Sequence, residues 1–157
     1  MRPEAADDAV RVAELLGRPP QGSFEVVVRD GDGDPVVIRN APFLADGRPM
    51  PTRYWLVGAV ARRAVDQLEA AGGVRAAEAA VDPEALAGAH RRYAAERDAD
   101  IPAGWSGARP TGGVGGTRRG VKCLHAHYAW YLAGGDDPVG EWVGRRLAAP
   151  APVGEQA

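Results

Sequence analysis

The chain alternates between segments with helical spacing of apolar residues and segments rich in β-branched residues. Apolar positions recur at helical spacing over residues 4–16, and this pattern stops at Gly17. Residues 24–29 and 35–39 are β-branched and are separated by repeated Asp-Gly pairs, which predicts a β-hairpin. A proline-rich loop then leads into a third predicted strand that ends near Val57.

The rest of the chain is predicted to be helical, with glycine-rich breaks. An apolar stripe predicts a helix over residues 58–71. Asp82, followed by a proline, marks the start of another helix that runs to about residue 97. This helix carries His90 on an apolar face, so we expect a partly buried structural histidine there. Residues 99–120 are rich in glycine, proline and arginine, which indicates a long loop.

Together with a last helix capped by Asp137, these elements predict one α+β domain over residues 1–149. A small antiparallel sheet would pack with about four to five helices, and residues 150–157 would form a disordered tail. The formal net charge of -2 disfavours a nucleic-acid or membrane-surface binder. No apolar segment approaches the ~20 residues of a membrane span, and the N-terminus resembles no signal peptide. The single cysteine excludes an internal disulfide, so we expect a cytoplasmic protein.

The chemically versatile side chains are crowded into one short segment. It contains the only lysine and the only cysteine, two of the three histidines, and two arginines: Arg118, Arg119, Lys122, Cys123, His125 and His127. On a strand, the cysteine and both histidines would share a face and form a metal tripod. We predict a helix over residues 121–133 instead, because the segment is rich in alanine and leucine and ends at two glycines. On that helix, Cys123 and His127 lie one turn apart.

Three interpretations of this segment stay open. The cysteine and the histidines can be ordinary core residues. The glycine-rich loop can present free N–H groups and cations at a helix N-terminus, where a phosphate or carboxylate binds well. Cys123 can also act as a nucleophile with His127 as its base, or can hold a transition metal with histidines, but no orienting carboxylate is evident from the sequence and no metal is assigned.

Two strings of residues point to a family. Residues 46–56 follow the pattern Asp-Gly-x-Pro-x-Pro-Thr-x-Tyr-Trp-Leu, and residues 121–125 are Val-Lys-Cys-Leu-His. Over about residues 18–147 the chain resembles the bacterial domain-of-unknown-function family 501, which is common in actinobacteria. The family has no assigned activity. The resemblance implies a small cytosolic protein, encoded near septum-formation and exopolyphosphatase-like proteins, and hence an association with cell division or phosphate metabolism.

The leading hypothesis is a binding or regulatory protein for a small phosphorylated ligand, held in a cleft between the loops at residues 46–54 and 112–122. The expected ligand-binding residues are Asp46, Thr52, Tyr54, Arg118, Arg119 and Lys122. One alternative is an enzyme whose catalytic residues are Cys123, His125 and His127. The other is an interaction module with a division-associated partner and an exposed apolar patch around Trp105, Trp130 or Trp142. The sequence names no cofactor.

Overall fold

The structure is a computed structural model that describes residues 3–148, with side chains described from residue 7 onward. The predicted tail at residues 150–157 lies outside the described residues. The helices and strands are, in chain order, α1 (Pro3–Leu16), β1 (Phe24–Arg29), β2 (Pro35–Asn40), β3 (Tyr54–Leu56), α2 (Ala59–Ala70), α3 (Gly73–Ala80), α4 (Pro83–Asp98), α5 (Leu124–Leu132) and α6 (Pro138–Ala148). The predicted α+β class is confirmed.

The described residues form six α-helices, against the four to five predicted, because α3 follows α2 without a loop. Gly72 has a φ of 88°, which turns the chain sharply at the end of α2. A Cβ at Gly73 would lie 2.5 Å from the carbonyl oxygen of Leu68, so the second glycine permits close contact with α2. The glycine pair therefore both stops one helix and allows the next to start.

The sheet has the order β1-β2-β3, with both pairs antiparallel. Successive residues of β2 face opposite sides of the sheet. Ile38 packs with Val12 of α1 and with Val57, whereas Val37 joins the main core with Leu124 of α5. The sheet is thus covered by α1 on one face and by α5 and its neighbouring helices on the other.

Helix α4 anchors the loop that leads into β3. The buried Tyr93 hydroxyl accepts hydrogen bonds from the backbone N–H groups of Arg53, at 2.5 Å, and Tyr54, at 3.1 Å. The Arg97 side chain, only 1% exposed, donates to the carbonyl oxygens of Pro51, at 3.1 Å, and Gly112, at 2.9 Å. Because Pro51 and Gly112 belong to different loops, Arg97 fastens both loops to one helix.

The predicted helix over residues 121–133 begins three residues later than expected. Cys123 has extended backbone angles, φ -152° and ψ 154°, and stands at the N-cap of α5. The Cys123 side chain therefore does not continue the helical spacing on which its pairing with His127 depended. No described helix has both the length and the apolar character that crossing a membrane requires.

Candidate functional site

An open cavity of about 450 Å³ lies beside β3 and the start of α5. Two residues from each of the loops between which a cleft was predicted line it: Thr52 and Tyr54 from the first, and Gly115 and Lys122 from the glycine-rich loop. Five residues selected from the sequence line it: Thr52, Tyr54, Lys122, Cys123 and His125. We call this cavity the β3 cleft.

The β3 cleft is lined by cationic side chains, which we call the cationic rim, and by aromatic ones. Among the described residues, Arg18, Arg62 and Lys122 line it, with Asp66 as the one lining carboxylate. Lys122 is exposed and makes no salt bridge within the described part of the chain, whereas Arg62 donates one hydrogen bond to a backbone oxygen of α1 at 2.7 Å. Trp55 lines the same cavity. The cleft thus offers positive charge and an aromatic surface to a ligand.

Cys123 interacts with His125, two residues further along the chain. The His125 ring lies between two carboxylates of α2: Nδ1 is 3.1 Å from Glu69 Oε2, and Nε2 is 2.7 Å from Asp66 Oδ1. The hydrogen bond with Cys123 raises the pKa of His125 to about 9 against the effect of burial, and both carboxylates reinforce the shift. Burial alone would raise the pKa of the Cys123 thiol, but hydrogen bonds from His125 and the backbone of Ala126 bring it below its usual value.

His127 was predicted to pair with Cys123, and this geometry is wrong. The His127 side chain is 1% exposed, and its Nδ1 is 2.6 Å from Asp137 Oδ2. Its ring lies 5.8 Å from that of His90, edge to face. Because Cys123 precedes α5 in an extended conformation while His127 faces the interior, the two side chains belong to different environments.

His90 is a buried structural residue, as predicted. Its Nδ1 accepts a hydrogen bond from the backbone N–H of Val114 at 3.0 Å, and its Nε2 lies 2.9 Å from the carbonyl oxygen of Gly120. This pairing requires the neutral tautomer with the proton on Nε2. Burial lowers the pKa of His90, in agreement with that neutral form. His90 therefore holds the glycine-rich loop at two points.

Three of the expected ligand-binding residues lie outside the β3 cleft. Arg118 and Arg119 line a separate cavity of about 290 Å³ beside His90 and α3. Asp46 is exposed and accepts hydrogen bonds from the backbone and the side chain of Arg48, at 3.0 and 2.7 Å. Because Lys122 lines the β3 cleft and the two arginines line this other cavity, the expected cluster of three cations does not form.

The N-terminus of α5 was expected to bind an anion through free N–H groups, but carboxylates of the chain already occupy it. The N–H of Leu124 donates to Glu69 Oε2 at 2.6 Å, and that of Val121 donates to Glu78 Oε1 at 2.9 Å. Glu69 therefore caps the first N–H of α5 and complements the helix dipole, while Glu78 holds the segment that leads into the helix. We therefore expect anion binding in the β3 cleft to depend mainly on side chains.

An exposed apolar patch was expected around the tryptophans, and for Trp130 this expectation is wrong. Trp130 is 3% exposed and packs against the Tyr93 ring, with the ring centroids 5.2 Å apart. Trp105 stacks on Phe43 with a centroid distance of 4.1 Å, and Trp142 lies under the Arg146 guanidinium at 4.8 Å. Each of these three tryptophans therefore makes its own local contact.

The sequence interpretation missed the acidic residues that organise both histidines of α5. Asp66 and Glu69 are three residues apart on α2, a spacing that places two side chains on one helix face, and both reach His125. Asp137 had been noted only as a helix cap, yet it also binds His127. Helical spacing within α2 was the available signal, but the contact with α5 required the tertiary fold.

Comparison with known proteins identifies a family. Residues 26–145 match the model of a family described as a protein of unknown function, DUF501. The matched range includes both strings that suggested the resemblance and nearly all residues of the β3 cleft. No curated protein and no solved structure matches the chain.

Proposed function

We propose that this chain, which belongs to the DUF501 family of proteins of unknown function, binds a small phosphorylated anion in the β3 cleft as a binding or regulatory protein. The observation that carries the proposal is the cationic rim formed by Arg18, Arg62 and Lys122. The chain as a whole has a formal net charge of -2. The three cations around one cavity therefore make a local concentration of positive charge on a slightly acidic protein.

The chemistry of the rim suits a phosphate group. Arginine binds phosphate oxygens with paired donors, and lysine binds them as a mobile point charge. A cavity of about 450 Å³ is of the size that accommodates small ligands. Trp55 is half-buried and lines the cavity, where it offers an aromatic face for stacking of a ring carried by the phosphate.

Thermal unfolding in the presence of phosphate compounds tests this proposal. We would use inorganic phosphate, pyrophosphate and adenosine monophosphate, with a neutral chelator present so that no metal contributes. A ligand at about 100 times its Kd stabilises the folded state by about 2.7 kcal/mol, which raises Tm by roughly 5–10 °C for a domain of this size. We expect such a shift with at least one compound and its loss in Lys122→Ala.

Arg118→Ala is the matched control, because it removes a cation four residues away that lies outside the β3 cleft. The ligand-induced shift should stay unchanged in this variant. If none of the compounds raised Tm, or if Arg118→Ala and Lys122→Ala weakened the shift equally, the β3 cleft would not be the phosphate site.

A cysteine-dependent enzyme acting on the same kind of ligand is the second candidate. The observation that favours it is the position of Cys123 in the wall of the β3 cleft next to His125. The partner of the thiol would then be His125, since His127 is buried elsewhere. Phosphate release from a phosphate monoester that is abolished in Cys123→Ser, with the ligand-induced Tm shift retained, would support the enzyme.

We also propose a cytoplasmic protein of an actinobacterium. The proposal rests on the family resemblance and on the single cysteine of the chain. A division-associated partner is a further hypothesis from the same resemblance, and co-purification of the full chain with a septum-formation protein would test it.

A further inference from the structure

We infer that Glu69, Cys123 and His125 form a binding site for one divalent transition metal ion of the zinc type, beside the β3 cleft that Cys123 and His125 line. One ligand atom from each residue lies within 4.8 Å of the other two. In a tetrahedral zinc site such atoms are about 3.3–3.7 Å apart, so a movement of about 1 Å closes the cluster around an ion. The inference does not depend on the proposed phosphate function.

The chemical types of the three donors select the metal. A thiolate, an imidazole and a carboxylate together favour zinc or a similar borderline ion over magnesium or calcium, which prefer oxygen ligands alone. The thiolate of Cys123 and the carboxylate of Glu69 carry two negative charges, which balance a divalent cation. Three protein ligands leave a fourth position for water or substrate, which is the arrangement of catalytic rather than structural zinc sites.

The orientation of His125 supports the same assignment. Its Nδ1 faces Glu69 at 3.1 Å and would bind the ion, while its Nε2 is 2.7 Å from Asp66 Oδ1. A metal-bound histidine characteristically donates its other ring N–H to a carboxylate, which fixes the ring and increases its basicity. Asp66 is in position to accept that hydrogen bond.

The backbone places the ligands before any ion binds. Cys123 is the N-cap of α5 and His125 lies in its first turn. Glu69 comes from α2 and is held against α5 by the hydrogen bond from the N–H of Leu124 at 2.6 Å. Cys123 and His125 both line the β3 cleft, so the site can be reached from solvent.

Metal titration of the full chain tests the inference. After removal of metal with a chelator, we would add Co²⁺ and follow thiolate-to-cobalt charge transfer in the near ultraviolet, then displace the Co²⁺ with Zn²⁺. We expect one equivalent of Co²⁺ with a charge-transfer band, and tighter binding of Zn²⁺. Zn²⁺ should also protect Cys123 from alkylation by iodoacetamide, because a coordinated thiolate is a poor nucleophile.

Variants separate this site from adventitious binding. Cys123→Ser, His125→Gln and Glu69→Gln should each weaken Zn²⁺ binding at least tenfold, and Asp66→Asn by about 10–100-fold through loss of its support of His125. Glu78→Gln is the matched control for Glu69→Gln, because Glu78 caps a backbone N–H in the same manner outside the cluster. The Zn²⁺ affinity of Glu78→Gln should match that of the unmodified protein.

Two results would overturn the inference: the absence of saturable Zn²⁺ binding, or affinity that changes less than threefold in both Cys123→Ser and His125→Gln. Far-ultraviolet circular dichroism of each variant checks that the fold is retained, and Glu69→Gln keeps an acceptor for the Leu124 N–H. The phosphate experiment is performed with chelator and this titration without phosphate, so either proposal can fail alone. Zinc protection of Cys123 would also contradict a free cysteine nucleophile in the metal-loaded protein.

Discussion

The two histidines of α5 are two residues apart, yet they occupy opposite kinds of environment. His125 lines the β3 cleft, is 27% exposed and lies between two carboxylates of α2. His127 is 1% exposed, binds Asp137 and packs near His90 in the interior. Two residues turn a helix by roughly 200°, so one histidine faces the cleft and the other faces the core. His125 is therefore the candidate functional histidine, and His127 is a structural residue.

The difference extends to the acidic partners. Asp66 is exposed and Glu69 is half-buried where they reach His125 from α2, and an ion pair that water still reaches contributes less to stability than a buried one. Asp137 is fully buried and also accepts hydrogen bonds from the N–H groups of Val139 and Gly140, so it caps α6 as well as holding His127. Removing a carboxylate should thus have different consequences in the two regions.

Asp137→Ala should produce the largest loss of stability. It leaves His127 Nδ1 without its partner inside the core and removes the cap of α6, and together these changes should cost about 3 kcal/mol. Urea denaturation followed by circular dichroism measures the loss. Asp136→Ala is the matched control, since its side chain is 88% exposed and 3.6 Å from Arg92, and should cost less than ~0.5 kcal/mol. Equal effects of the two substitutions would contradict the structural role of Asp137 in the core.

Arg97→Met should have the next largest effect, and it links the two regions. The substitution keeps the buried aliphatic stem but removes the donors to the carbonyl oxygens of Pro51 and Gly112, at a cost of about 2 kcal/mol. Both loops border the β3 cleft, so the phosphate-induced Tm shift should decrease too. Arg91→Met, on the exposed side of α4, is the control. Loss of stability with an unchanged phosphate shift would show that the cleft walls do not depend on Arg97.

The contribution of His90 should depend on pH. Burial lowers the pKa of His90 in the folded protein, so between that pKa and the unfolded value of ~6.5 the unfolded state binds more protons. The stabilisation is complete above pH ~6.5 and is lost as the pH falls towards the folded pKa. Nearby His127 and Asp137 also act on His90, so the comparison is made against His90→Gln. The difference in Tm between the two proteins should narrow from pH 7.5 to pH 5; a constant difference would contradict this.

The sequence was sufficient for the fold class because local signals agreed with the tertiary structure. The Asp-Gly pairs between β1 and β2 and the Asp82 cap of α4 both act within a few residues, and both occur as predicted. The start of α5 could not be predicted in the same way, because it depends on Glu69 and Glu78, which are distant in sequence. Alanine and leucine indicated a helix but not where its first N–H groups would find acceptors.

The candidate site shows the same limit. Its position was predictable, since Lys122, Cys123 and His125 were selected together and do line one cavity with Thr52 and Tyr54. The histidine partner of Cys123 was not predictable. Helical geometry was assumed at Cys123, and helical spacing then selected His127 instead of His125. One residue in an extended conformation was enough to exchange the partner of the thiol.

His125→Gln should have the smallest effect on stability and gives the sharpest contrast with its neighbour. The contacts of His125 with the exposed Asp66 and the half-buried Glu69 should contribute less to stability than the contact of His127, because His127→Gln disturbs a fully buried pair and should cost about 3 kcal/mol. The same urea experiment measures both. In the metal-free protein, His125→Gln should also slow alkylation of Cys123 at neutral pH, because it removes the hydrogen bond that lowers the pKa of the thiol. If His125→Gln were as unstable as His127→Gln and the alkylation rate of Cys123 were unchanged, His125 would be a structural residue. Cys123 and His125 would then not form a reactive pair in the cleft.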